Sequence, residues 1–172
     1  MENRFTTSRL RAERLREDHW SEVRRMHTDP IVMAQLGGVK TEAESRDYLT
    51  RNLEHWAQHG FGLWIVYALT GQEPIGRAVL RRLPLGTEPV DVEVGYGFYE
   101  PWWGKGLATE LTLALLGLGF HSLPCDSIVA VTSPGNAASQ HVLSKCGLTH
   151  ERDIDLGGST MCLFRTFRTP AP

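Results

Sequence analysis

The sequence lacks several features that would indicate a membrane or secreted protein. No apolar run approaches the roughly 20 residues that a membrane-spanning helix needs, and the N-terminal MENRFTTSRLRAERL contains no apolar signal core. Cysteine is scarce: Cys125, Cys146 and Cys162 are odd in number, widely spaced and form no CxxC pair. This usage argues against a disulfide framework and favours a reducing compartment. We expect a cytoplasmic protein without membrane association, whose thiols are small core residues.

A strong excess of charge is also absent. The chain has 18 Lys and Arg against 20 Asp and Glu, for a formal net charge of -2. Such a balance gives no general attraction to nucleic acid, which is not expected as a partner. The N-terminal arginines, among them Arg9, alternate with acidic residues and are predicted to lie on a solvated strand edge. With 172 residues, 41% of them hydrophobic, the chain is predicted to form a single domain over residues 1–172.

The hydrophobic pattern switches repeatedly between strand and helix periodicity, without internal repeats. It predicts an α+β fold with a central mixed, mostly antiparallel sheet of about seven strands and about four helices. The predicted helices are one from an Asp18 cap to Thr28, one from the capping box Thr41/Glu44 to Gly60, one from Gly104 to about His121, and one over Asn136–Cys146. An apolar turn is predicted over Ile31–Leu36. The predicted strands are Phe5–Arg14, Phe61–Leu69, Ile75–Leu83, the segment around Glu93, Ser127–Thr132, Glu151–Leu156 and Thr160–Phe167, with a loop from Pro84 to Pro89.

The stretch from Val92 to Glu110 carries the strongest chemical signal. Its first part, VEVGYGF, alternates as a strand does, with one packed face and one face that carries Glu93. Gly104 and Gly106 then lie where an apolar helix begins. The first amides of a helix have no intrahelical acceptor and carry partial positive charge, so an anion is favoured there. We interpret this stretch as the site of a pyrophosphate.

Two nucleotide-binding motifs begin in this stretch, but neither is complete. Gly104-Lys105 would belong to the phosphate loop of nucleotide triphosphatases only with glycine at position 99 and Ser or Thr at 106, where the chain has Tyr99 and Gly106. Gly95-Tyr96-Gly97 starts a dinucleotide fingerprint, yet Glu100 stands where its third glycine belongs. The anion is therefore not predicted to be a nucleotide of either class.

One pair of histidines has a spacing that can hold zinc. His55 and His59 lie at i and i+4 of a predicted helix, but HWAQH lacks the glutamate of the zinc-protease motif and no third ligand is evident. We expect structural or surface histidines and no bound metal.

Four segments in order make the chain resemble a known family. They are SRLRAERLREDHW, EVGYGF, WWGKGLATE and SPGNAASQHVLSKCGL, and the resemblance covers nearly the whole chain. Together they resemble the GNAT superfamily of N-acetyltransferases, and within it the ribosomal-protein N-terminal acetyltransferase (RimJ/RimL-like) branch. The resemblance implies a GNAT fold in which two central strands splay apart, with acetyl-CoA in the cleft.

The resemblance also assigns cofactor-binding residues. It implies that backbone amides from Trp103 to Thr109 hold the pyrophosphate of coenzyme A, that the strand edge at Gly95–Phe98 pairs with pantetheine, and that Asn136 contacts the cofactor beside the thioester. Amides near Phe98 would polarise the thioester carbonyl. The implied cofactor-binding set is Gly97, Phe98, Trp103, Gly104, Lys105, Gly106, Leu107, Ala108, Thr109, Asn136 and Ser139.

The implied chemistry is direct attack of an amine on acetyl-CoA in a ternary complex. Glu93 is the candidate base, because an α-amine at neutral pH is partly protonated and must lose a proton. Asp91, on the same face, is expected to assist Glu93 or to repel its negative charge. Many family members carry a tyrosine seven residues after the asparagine as the acid, but that position is Leu143, which leaves Ser139 as the candidate acid.

Three classes of function remain open at this point. The first is an enzyme that acetylates a primary amine, either a protein N-terminus or a small molecule such as an antibiotic, a polyamine or an amino-acid-like compound. The second is an acyl-CoA-binding module without turnover, and the third, nucleic-acid binding, conflicts with the charge balance. Acceptor selection is expected from Met33–Gly60, where Trp56 is placed beside the groove, and from Leu156–Thr160. Monomer and homodimer are both open.

Overall fold

The computed structural model describes residues 1–85 and 90–168, so residues 86–89 of the predicted Pro84–Pro89 loop lie outside the described residues. Within the described residues, eight strands form one mixed sheet in the order β1-β2-β3-β4-β5-β6-β8-β7, with five α-helices. This confirms the α+β class. The strands are β1 (Arg4–Thr6), β2 (Leu10–Arg14), β3 (Leu63–Ala68), β4 (Pro74–Leu83), β5 (Asp91–Phe98), β6 (Ser127–Thr132), β7 (Thr149–Leu156) and β8 (Ser159–Phe167). The helices are α1 (Trp20–Thr28), α2 (Pro30–Met33), α3 (Glu42–His59), α4 (Leu107–Ser122) and α5 (Ala137–Lys145).

The predicted strand and helix numbers were each one too low, for local reasons. The single strand expected over Phe5–Arg14 is two antiparallel strands, since the amide of Thr7 donates to the carbonyl of Leu10 (2.9 Å) and turns the chain back. The apolar turn expected after Pro30 is the short helix α2, which begins because the Asp29 carboxylate accepts hydrogen bonds from the amides of Ile31 and Val32.

The start of α1 also differs from the prediction. Asp18 does not cap the helix: it lies inside a 3-10 turn over Glu17–His19, and its carboxylate pairs with Arg16 (3.1 Å). His19 is the N-cap residue and makes no side-chain capping bond. In contrast, the capping box of α3 is confirmed by reciprocal hydrogen bonds between Thr41 and Glu44.

The middle of the sheet opens between β5 and β6. β3, β4 and β5 pair as consecutive antiparallel strands, and α4 then connects β5 to the parallel strand β6, as predicted. Among the described residues a single pair, Glu93 with Val129, is in register between β5 and β6, whereas β6 pairs with β8 along its whole length. Beyond Glu93 the two strands diverge, which leaves an edge of β5 without a neighbouring strand.

The two faces of the sheet are packed by different helices. Leu80, Val94 and Ile128 pack against Leu111 and Leu115 of α4 in the larger core cluster. On the opposite face, a smaller cluster joins the sheet to α1 and α3 through Val23, Leu49, Leu63, Ile65, Tyr67 and Val79. Among the described residues no helix is both long enough and apolar enough to span a membrane.

Candidate active site

The loop before α4 presents a row of backbone amides. Gly104 (φ 70°) and Gly106 (φ 73°) both adopt left-handed backbone angles, which side chains with a Cβ rarely accept. The first helical hydrogen bond runs from the amide of Glu110 to the carbonyl of Gly106 (3.1 Å). In the part of the chain that the structure describes, the amides of residues 104–109 donate no hydrogen bond to a protein acceptor. The predicted anion site is thus a run of amides at a helix N-terminus.

Arg9 fastens this loop to the N-terminal hairpin, where the sequence predicted only a solvated arginine. Its Nε donates to Oε2 of Glu110 (2.6 Å) and its Nη1 to the carbonyl oxygen of Lys105 (2.8 Å). Oε1 of Glu110 accepts from Thr7 (2.5 Å), Ser8 (3.0 Å) and the Arg9 amide (2.9 Å). Burial alone would raise the pKa of Glu110, but these hydrogen bonds outweigh it and lower the pKa to about 2. Glu110 is therefore ionised at neutral pH, and its carboxylate holds Arg9 against the loop.

The side chains around the loop divide between packing and solvent. Leu107 is buried, so only its backbone can reach a ligand. The Trp103 indole donates to the carbonyl oxygen of Phe98 (2.7 Å) and remains 48% exposed. The Lys105 ammonium lies 5.0 Å from the centre of the Trp102 ring, a cation–π contact that keeps its charge beside the loop.

The unpaired edge of β5 is made by alternate residues. The amide of Tyr99 donates to the carbonyl of Ile75 on β4. Because backbone groups alternate in an antiparallel ladder, those of Tyr96 and Phe98 point away from β4, toward the gap between β5 and β6. Gly97 is opposite Arg77, and the same alternation commits its backbone groups to β4. The backbone of Gly97 is thus directed to β4 and that of Phe98 to the gap between β5 and β6, where its carbonyl already accepts from the Trp103 indole. The pantetheine contacts of both residues stay predictions.

A chain of hydrogen bonds links the start of α5 to β5 through Asn136, Ser139 and Tyr96. Asn136 is the N-cap of α5, and its Oδ1 accepts from the amide of Ser139 (3.0 Å). The Ser139 hydroxyl lies 3.0 Å from the Tyr96 hydroxyl, and burial raises the pKa of Tyr96. Leu143, at the usual tyrosine position, is buried in the core. The sequence indicated Tyr96 only as a strand residue, because its closeness to Ser139 depends on how α5 packs against the sheet.

Glu93 does not lie on a solvent face. It is 6% exposed, and its Oε2 is 2.5 Å from Nε of Arg81 on β4, the residue opposite it in register. Asp91, expected to assist Glu93 or to repel its charge, is paired with Arg165 (2.6 Å), and its effect on Glu93 stays a prediction. Since successive residues of β5 alternate between faces, Glu93 and Tyr96 lie on opposite faces of the strand. The two faces of the sheet meet at the gap between β5 and β6.

A cleft of about 340 Å³ lies between α3 and β4, next to Arg81. The acidic residues of α3 are largely neutralised within the helix, since Glu42 pairs with Arg46 and Asp47 with Arg51. The lining residues are Tyr48, Arg51, Asn52, Glu54, His55, Gln58 and Arg81. Trp56, expected beside an acceptor groove, is instead a core residue: it is 2% exposed and donates to the carbonyl of Leu63 (2.8 Å).

His55 is a structural residue. Its Nδ1 lies 2.7 Å from the carbonyl oxygen of Phe61, and its Nε2 accepts from the amide of Arg82 (3.1 Å). Both ring nitrogens are thus occupied by the backbone, and the spacing to His59 does not create a chelating pair.

Comparison with known proteins agrees with this geometry. Residues 9–149 match the family described as Acetyltransferase (GNAT) domain. The FsC-acetyl coenzyme A-N(2)-transacetylase of Aspergillus fumigatus is 27% identical over 179 aligned positions, which cover 96% of this chain and 69% of that protein.

Two solved structures share the fold. The acetyltransferase of Agrobacterium tumefaciens has a TM-score of 0.85 at 22% identity, covering 98% of this chain and 96% of that one. A Salmonella typhimurium acetyl transferase that modifies the N-terminal serine of ribosomal protein L7/L12 has a TM-score of 0.75 at 16% identity, covering 95% and 97%. With the family match over most of its length, the chain belongs to the GNAT acetyltransferases and is an acyl-CoA-dependent N-acyltransferase.

Proposed function

We propose that the protein transfers the acetyl group of acetyl-CoA to a primary amine within a ternary complex. The observation that carries this proposal is the run of amides at residues 104–109, which donate to no protein acceptor in the described chain and are ordered around two left-handed glycines. These amides fit a pyrophosphate, and the unpaired edge at Tyr96 and Phe98 fits the amides of pantetheine. When bound, acetyl-CoA supplies an acetyl thioester: an N–C bond forms, the C–S bond breaks, the amine loses a proton and the thiolate gains one.

Glu93 is proposed to accept the proton of the amine, directly or through a water molecule. Arg81 engages Oε2, while among residues 1–85 and 90–168 no hydrogen bond reaches Oε1. One carboxylate oxygen therefore remains for an amine or a water molecule. Arg81 fixes the orientation of the carboxylate and offsets the cost of burying its charge.

Ser139 is proposed as the proton donor to the departing thiolate, with Tyr96 behind it. The two hydroxyls are 3.0 Å apart, so a proton given by Ser139 is replaced from Tyr96 along an existing hydrogen bond. Solvent then returns the proton to Tyr96 before the next turnover. Asn136 fixes the backbone of Ser139 through the helix cap. Within residues 1–85 and 90–168, Nδ2 of Asn136 donates no hydrogen bond, so it can donate to a cofactor carbonyl, in keeping with the contact that the family resemblance implies.

The proposed acceptor is a compound with one reactive amine, and a protein N-terminal α-amine fits best. The proposed acceptor groove is the cleft between α3 and β4. Among the described residues its lining contains one carboxylate, Glu54, beside Arg51 and Arg81, so a polycationic acceptor would meet little compensating charge. The Salmonella relative acts on a protein N-terminus, whereas the name of the Aspergillus relative indicates transfer to the N(2) amine of FsC. A small-molecule amine is therefore the alternative acceptor class.

The test is a screen for thiol release from acetyl-CoA with purified protein. One arm contains peptides with free N-termini, a second contains the same peptides with blocked N-termini, and a third contains polyamines, aminoglycosides and amino acids. Release only with free N-termini, accompanied by acetylated peptide in the mass spectrum, supports the proposal. Release only in the third arm moves the acceptor to the small-molecule class. Tight acetyl-CoA binding without release in any arm would support a binding module instead.

A further inference from the structure

Three side chains with metal-binding atoms meet on the β7–β8 hairpin, outside the site described above. They are His150 and Asp153 of β7 and Cys162 of β8, and their donor atoms all lie within 4.8 Å of one another. Nε2 of His150 is already 2.9 Å from Oδ1 of Asp153. Nothing in the proposed acetyl transfer uses these residues.

A β-bulge brings the three residues together. His150 pairs with Phe164 and Asp153 with Cys162, while the register shifts between His150 and Arg152. In a regular strand, residues three apart point to opposite faces, so His150 and Asp153 would diverge. The extra residue, Glu151, changes the alternation, and both side chains then lie on the face that Cys162 and Phe164 share. Bulges commonly redirect side chains in this way.

We propose that His150, Asp153 and Cys162 bind one Zn²⁺ ion. Imidazole nitrogen, carboxylate oxygen and thiolate sulfur are the three ligand types that zinc takes, at about 2.0–2.3 Å each. A tetrahedral ion with such bonds separates its ligand atoms by about 3.5 Å. The 2.9 Å between Nε2 of His150 and Oδ1 of Asp153 therefore has to widen slightly, and separations toward 4.8 Å have to shorten. On binding, the Cys162 thiol gives its proton to solvent and a Zn–S bond forms; no electron is transferred. A water molecule takes the fourth position.

The burial of the ligands suits this assignment. The side chains of His150 and Asp153 are 49% and 57% exposed, so they can rotate toward an ion at little cost in packing. Cys162 is only 8% exposed, and the hydrophobic core around it holds its sulfur in place. Phe164 packs edge-on against the His150 ring, with the ring centres 5.5 Å apart. The ion would fasten the edge strand β7 to β8.

The experiment uses the full chain after treatment with a chelator. Zn²⁺ is titrated into it by calorimetry, and Co²⁺ is used as a spectroscopic substitute because thiolate coordination gives an intense charge-transfer band. We expect about one ion per chain, a thiolate–cobalt band, and a rise in the melting temperature of the wild-type protein. Asp153→Asn, a change at an exposed residue, is expected to weaken Zn²⁺ binding by at least about tenfold, and Cys162→Ser to remove the band.

Control variants separate this site from other donors in the chain. Cys125→Ser changes the half-buried thiol, and His59→Gln changes the other histidine pair; both are expected to keep wild-type affinity and the band. Absence of saturable binding in the wild type would overturn the proposal. So would binding that survives Asp153→Asn and Cys162→Ser but is lost in His59→Gln. Circular dichroism of each variant shows that a loss of binding is not a loss of folding.

Discussion

Arg81 and Glu93 face each other on neighbouring strands, with Nε of Arg81 2.5 Å from Oε2 of Glu93. The pair lies beside the cleft between α3 and β4, and Arg81 contributes to the lining of that cleft. The negative charge of Glu93 is the largest cause that raises the pKa of Arg81, so the guanidinium remains charged. The proposed base is thus buried but not isolated, and one partner fixes its position.

Glu93→Gln is expected to lower kcat by roughly 10²-fold, while KM for acetyl-CoA changes little, because a positioned base acts on the amine and not on cofactor binding. Steady-state kinetics with the best acceptor measure both parameters. Arg81→Lys, which keeps a cation opposite Glu93, is the control for disturbance of the pair. Wild-type kcat in Glu93→Gln would remove Glu93 as the base.

Tyr96→Phe and Ser139→Ala test the proposed proton path separately. If Ser139 donates the proton and Tyr96 resupplies it, Ser139→Ala lowers kcat by about 10²-fold and Tyr96→Phe by a smaller factor. The pH dependence of kcat should lose its alkaline limb in the variants. Equal and small losses in both, with the wild-type pH profile retained, would indicate that the hydrogen bond between the two hydroxyls is structural only.

Arg9→Ala is expected to weaken CoA binding by about tenfold, because it removes the hydrogen bond that fixes the Lys105 carbonyl and releases the loop of amides. Calorimetric titration with CoA measures the change. Arg4→Ala, at an exposed position of the same hairpin, is the matched control. Glu110→Gln should reproduce part of the loss. An unchanged affinity in Arg9→Ala would show that the loop keeps its shape without Arg9.

Unfolding should depend on pH through His27. Burial is the largest cause that lowers its pKa, to about 4, and the cationic Arg77, Lys40 and Arg24 add to it. In the unfolded chain His27 has a pKa near 6.5, so as the pH falls it is protonated there before it is protonated in the folded chain. The contribution of neutral His27 to stability is therefore complete above pH 6.5 and is lost as the pH falls toward 4. The difference between these two pKa values corresponds to about 3 kcal/mol in the free energy of unfolding.

Urea unfolding of wild type and His27→Asn between pH 7 and 4 measures this effect. Asn can keep the hydrogen bond to Ser45 but does not titrate, so its curve should be flatter. His121→Asn, at an exposed histidine, should follow the wild type. Parallel curves for wild type and His27→Asn would contradict the assignment.

Local patterns in the sequence were sufficient where the structure depends on neighbouring residues. The capping box of Thr41 and Glu44 sets the start of α3, and the glycines before Leu107 set the start of α4, because caps and left-handed turns act within a few residues. The divergence of β5 and β6 came from the family resemblance. Hydrophobic periodicity does not report how far two strands remain paired.

Long-range partners could not be predicted in the same way. Three pairs meet only through the sheet and its helices: Arg9 with Glu110, Arg81 with Glu93, and Tyr96 with Ser139. The sequence therefore indicated a solvated Arg9, gave Glu93 no partner on β4 and left Tyr96 as a strand residue. Trp56 was misplaced for a related reason. An aromatic residue on an amphipathic helix can lie in a groove or in the core, and contact with Trp64 decided for the core.

The central claim is that the loop before α4 holds the pyrophosphate of coenzyme A, and Gly106→Val tests it most directly. Valine at φ 73° strains the backbone of the loop, and its Cβ would lie 3.6 Å from Nη2 of Arg9, which fastens the loop. Gly60→Val imposes the same strain at φ 74° on the C-terminal cap of α3, away from the loop, and is the matched control.

Calorimetric titration of both variants with CoA is the decisive measurement. The account predicts that Gly106→Val weakens CoA binding by at least about 10²-fold, whereas Gly60→Val keeps wild-type affinity if it remains folded. CoA affinity in a folded Gly106→Val protein equal to that of the wild type would contradict the assignment of the pyrophosphate site.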